Sequence, residues 1–130
     1  MDVEELSLGV PKPILDSLPD PDGDAAQDMQ QAVRGLETRL NRAIDEADTE
    51  SEAAAYVVDA IERLEDHYEK YDEFVPELRA WGQSPIYAIA WRNLQGDLIL
   101  QLQEYDWLAP HIDRERNLRL VEDGIRFGKR

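Results

Sequence analysis

A chain of 130 residues that is 42% hydrophobic has material for one domain with a real core, despite being 33% charged. The absence of cysteine excludes disulfides and thiolate-held zinc or iron–sulfur centres. Asp and Glu number 29 against 14 Lys and Arg, a formal net charge of −15, which opposes any approach to nucleic acid.

The first residues, MDVEELSLGV, lack the basic and apolar regions of a secretory signal. No apolar run reaches the roughly 20 residues of a membrane span. A soluble cytoplasmic protein is expected. Only Lys12, Lys70 and Lys129 are lysines, while Trp81, Trp91 and Trp107 sit among many large aliphatics, which argues against acidic disorder. A folded, carboxylate-coated, lysine-poor chain resembles the uncharacterised acidic cytosolic proteins of salt-accumulating haloarchaea. The resemblance implies a molar-salt cytosol, where a Debye length of about 3 Å screens self-repulsion. It implies no catalytic motif.

Residues 6–21, LSLGVPKPILDSLPDP, hold four prolines among six aliphatics. Proline this dense predicts an extended arm, with Leu6, Leu8, Val10, Ile14 and Leu15 lying on the chain's own body or on a neighbour's. The next stretch, DPDGDAAQD, has the acids of a calcium loop, but Gly23 comes too early and Gln31 stands where the bidentate glutamate belongs. A turn into a helix beginning at Gly23 or Asp24 is the better reading.

Met29, Val33, Leu36, Leu40, Ala43 and Ala47 then recur at helical spacing. A second stripe follows at Ala54, Val57, Ile61, Leu64, Tyr68, Tyr71, Val75 and Leu78. Thr49-Glu50-Ser51-Glu52 fits a capping box, so a hairpin of two helices is favoured over one long helix. Pro76 predicts a kink or restart near Phe74.

Gly82 predicts a stop, and Ser84-Pro85 the start of a third helix. From Ser84 to Gln103 only Arg92 and Asp97 are charged, as expected of a buried helix. A hairpin turning at Gln95-Gly96-Asp97 is the alternative. In LRLVEDGIRF, Asp123-Gly124 suits a β-hairpin, and a helix ending at Gly124 fits as well. The expected architecture is mainly α: an antiparallel bundle of about three long helices with an extended arm and a small C-terminal hairpin. One domain would comprise the arm (1–23), a helical core (24–111) and a basic segment (112–130).

Chemistry is sparse. No P-loop, GxSxG or GxGxxG occurs, and Ser51 and Ser84 read as helix-start residues. His67 and His111 have no second imidazole at ligand spacing, so no metal or cofactor is assigned to them. Asp45-x-x-Asp48 and Glu62-x-x-Glu65 are the weak metal candidates. They loosely resemble the acidic pairs of all-α nucleotide pyrophosphatases, which would imply Mg²⁺-dependent phosphohydrolysis. Beyond His111 six basic residues face four acids, a local charge of +2 that leaves −17 on the remainder. Arg114, Arg116, Arg119 and Arg126 are therefore expected to meet acidic helices, their own or a partner's, more readily than nucleic acid. The expected function is that of a non-catalytic interaction protein, a homodimer with the arm or the aromatic third helix at its interface.

Overall fold

Thr49 separates the first two long helices. Its hydroxyl accepts from the Glu52 amide at 3.1 Å, and the Glu52 carboxylate accepts from the Asp48 amide at 3.4 Å. This closes the free donors at a helix start, so the two stripes fold as separate helices. The computed structural model describes residues 3–112. Its elements are α1 (Lys12–Asp16), α2 (Asp24–Glu46), α3 (Glu50–Ala80), α4 (Ile86–Gln103) and a 3₁₀ turn (Ala109–His111), with no strand among the described residues. The expected C-terminal hairpin lies outside them.

The central element is α3, which packs along α4 and beside α2. Their shared core includes Met29, Ile61, Leu94, Ile99, Leu102 and Leu108, all essentially inaccessible. The acid-free stretch is helix α4, and Gln95 and Gly96, the expected turn of the alternative hairpin, are buried inside it. Arg92 is 8% exposed and donates to Asp72 at 2.9 Å, so its charge is spent fixing α4 against α3. Gly82 takes φ +75°; its amide bonds to the Arg79 carbonyl and that of Gln83 to the Leu78 carbonyl. This double closure ends α3.

Two expectations need correction. No break interrupts α3 at Pro76: the helix runs on to Ala80. The proline forfeits one ladder bond about one turn from the end, while Val75 beside it is buried and holds the segment down. Nor is the N-terminal region extended throughout, because residues 12–16 are helical. Pro11 is the N-cap and Pro13 lies in the first turn, where no amide is needed for the helix.

Residues 3–11 have no regular secondary structure, yet they are closely held. Leu6 exchanges two bonds with the Asn41 amide (2.8 and 2.9 Å), and the Leu8 amide donates to Glu37 at 2.7 Å. Ser7 exchanges two bonds with the Tyr105 hydroxyl, and Gly9 two with the Gln101 amide. Alternate residues thus reach α2 on one side and the C-terminal end of α4 on the other. The spacings match, since two extended residues advance about 6.6 Å and four helical ones about 6 Å. This N-terminal strap runs antiparallel to both helices.

Candidate functional site

The four candidate carboxylates do not converge. Asp45 lies in the last turn of α2 and Asp48 in the connection, both exposed. Glu62 stands twelve residues beyond Glu50, roughly 18 Å along α3. Glu62 is exposed whereas Glu65 is 1% exposed, so even this pair does not face one site. Among the described residues no three His, Asp or Glu side chains are placed to hold a metal ion. His111 lies 3.3 Å from Glu50, at the start of α3. His67 is exposed midway along the same helix. Ser84 accepts from the Ile86 amide at 3.4 Å, in keeping with a role at the start of α4.

Of the aliphatic candidates of the N-terminus, Leu6 and Ile14 are spent inside the subunit. Leu6 and Ile14 are 2% and 5% exposed, and Leu8, Val10 and Leu15 pack partly buried against the same core. A leucine with no accessible surface offers a partner nothing. Arg114, Arg116, Arg119 and Arg126 lie outside the described residues.

Four large hydrophobic side chains stay exposed among the described residues, all aromatic: Tyr56 lies near the start of α3, and the other three lie where α3 turns into α4. Trp81 is 64% exposed, Tyr87 48% and Phe74 40%. Phe74 and Trp81 meet edge to face with centroids 6.2 Å apart. From Ala80 to Trp91 the sequence has no charged side chain, and the part of that run between Trp81 and Tyr87 lies at the surface. The closure at Gly82 satisfies the last carbonyls of α3 within the turn itself, so the turn's backbone needs no other element to dock against. Sequence reasoning assigned Tyr87 and its neighbours to an all-round buried helix and gave Trp81 no role. The overlooked signal was that the charge-free run begins at Ala80, before the helix does.

An exposed aromatic surface can bind another surface by burying its rings. No helix among the described residues is long and apolar enough to cross a membrane. Residues 2–129 match the model of a family of unknown function (DUF7971), and the chain belongs to that family. No curated protein and no solved structure matches it.

Proposed function

We propose that this member of a family of unknown function is a non-catalytic helical protein of a high-salt cytosol that self-associates through the turn between α3 and α4. The observation that carries the reading is the exposed aromatic group of Phe74, Trp81 and Tyr87, set beside a charge-free run from Ala80 to Trp91, on a chain of net charge −15. Two such subunits repel wherever their acidic faces meet, and this surface lets them touch with the fewest like charges opposed. Exposed aromatics of this kind are the usual anchors of interfaces, and a two-fold dimer is the commonest closure. The basic residues Arg114, Arg116, Arg119 and Arg126 are assigned to acidic helices, their own subunit's or a partner's, on charge complementarity. The N-terminal strap is assigned to holding the subunit together.

Light scattering after size exclusion in molar KCl tests the assignment. The wild-type chain should elute as a dimer, and Trp81→Glu as a monomer that keeps the wild-type circular dichroism spectrum. A monomeric wild type, or a dimer indifferent to Trp81→Glu, defeats it.

A further inference from the structure

A second surface is concave and free of acid. It is a groove of about 610 Å³ that opens between α2 and α3 and has α4 as its floor. No Asp or Glu lines it. For its buried walls, such as Val33, Leu64, Leu94 and Leu98, that is ordinary core packing. The exposed lining residues are Ala32, Arg39, Tyr56, Arg63 and His67, and packing does not explain the absence of acid there. Other exposed positions of the same two helices carry Asp28, Asp45, Asp59, Glu62, Asp66 and Glu69.

The polar groups of the groove point the same way. Gln95 on the floor is 7% exposed and has no hydrogen-bond partner among the described residues. Its carboxamide faces the groove, where solvent or a bound molecule can meet it. At the mouth, Arg39 has no carboxylate within 4 Å among the described residues, and Arg63 pairs with the exposed Asp59 at 2.7 Å through one nitrogen of its fork. Tyr71 and Trp91, stacked at 6.4 Å, complete an aromatic wall. Apolar walls, a few polar groups and a volume of roughly 300–1,000 Å³ are the attributes of a small-molecule site.

We infer that the groove binds a small organic carboxylate with an apolar body. The body lies against Leu94, Leu98 and the Tyr71–Trp91 wall, a polar group on it engages the Gln95 amide, and the carboxylate is held at the mouth by Arg39 and Arg63. Guanidinium–carboxylate bonds are charge-assisted and suited to this role. The charge of the mouth selects against the cationic analogue.

Calorimetric titration of the full chain in molar KCl with 4-phenylbutyrate and with 4-phenylbutylammonium tests the inference, since the two probes share a body and differ in head charge. The carboxylate should bind saturably, one per chain, and the ammonium should not. Arg39→Glu with Arg63→Glu should weaken the carboxylate at least about tenfold, the scale of a lost charge-assisted bond. Gln95→Leu, which keeps the volume, should weaken it less. Both arginines are exposed, and the melting temperature of the double variant verifies that it folds. Trp81→Glu should leave binding unchanged, which separates this site from the self-association surface. Equal binding of both probes, indifference to the charge reversal, or no saturable heat at millimolar carboxylate overturns the inference.

Discussion

The N-terminal strap and the turn from Trp81 to Pro85 both lack regular structure and both carry large apolar side chains, yet the molecule treats them oppositely. The strap makes no internal hydrogen bonds, so its amides and carbonyls must be met by other elements. Asn41, Glu37, Tyr105 and Gln101 meet them, and that docking carries Leu6 into the core. The turn closes its own bonds at Gly82, so its backbone does not require it to dock. A segment without internal hydrogen bonds must dock to satisfy its backbone, and for the strap that docking brings apolar side chains into the core.

Removing the strap is the severest test of that contrast. Deleting residues 1–18 takes away Leu6, Ile14 and Leu18, each buried, at about 1.5–3 kcal/mol apiece before any hydrogen bond is counted. The loss approaches the whole stability of a small domain, about 5–15 kcal/mol. Denaturant unfolding in molar KCl should find the truncated chain unfolded or barely folded. An unaltered midpoint would make the strap an ornament and return its aliphatics to the list of partner contacts.

Single side chains sharpen the comparison. Leu98 is 3% exposed, and Leu98→Ala should cost about 2–5 kcal/mol. Trp81 is the larger side chain, yet Trp81→Ala in the monomeric state should fall within about 0.5 kcal/mol, as exposed substitutions do. Comparable losses at the two sites would mean that the turn is core after all. Asn41→Ala is intermediate. It strips both bonds from Leu6 and leaves a buried segment's backbone unpaired, at about 1–3 kcal/mol. Amide exchange at Leu6 should quicken with it, while exchange at Gln83 should not.

The long helices were legible because their evidence is local. The stripes of α2 and α3, the Thr49 cap and Gly82 all act over a few positions, and the structure places buried Val33, Leu40, Ile61 and Leu64 on the expected faces. The strap was not legible, because the bonds that hold Leu6 to Gly9 span 29 to 98 residues and no periodicity announces them. Glu65 was misjudged for a related reason. The heptad count assigns burial to Leu64 and Tyr68 and leaves position 65 outside, but packing of α3 buries a broader face that includes Ala53, Ala60 and Glu65. The groove was invisible too. Its lack of acid shows only when Arg39, Tyr56, Arg63 and His67 from two helices are viewed together.

The smallest expected effect concerns the acid behind the strap. Asp97 is the only carboxylate within α4, half-buried, and its pKa is raised above the ordinary carboxylate value. Burial is the main cause and Glu104 adds to it, while a hydrogen bond from Gln101 Nε2 at 2.6 Å works against both. The same Gln101 amide holds Gly9, so Asp97 helps orient the residue that fastens the strap. A raised native pKa means that the folded state binds the proton more tightly than the unfolded one. This site therefore contributes stability that is full below the ordinary Asp value near 3.9 and is lost as pH rises through the native pKa. Asp97→Asn removes that loss, since a carboxamide still accepts from Gln101 and carries no charge to desolvate. The variant should melt slightly above wild type at neutral pH, with the gap closing as the pH falls below 4. The turn offers a control, because Trp81→Ala touches no titrating group and should show no pH-dependent difference. An Asn variant less stable than wild type at neutral pH would mean that the charged bond to Gln101 outweighs burial. The strap would then be held by Asp97 as a carboxylate rather than in spite of it.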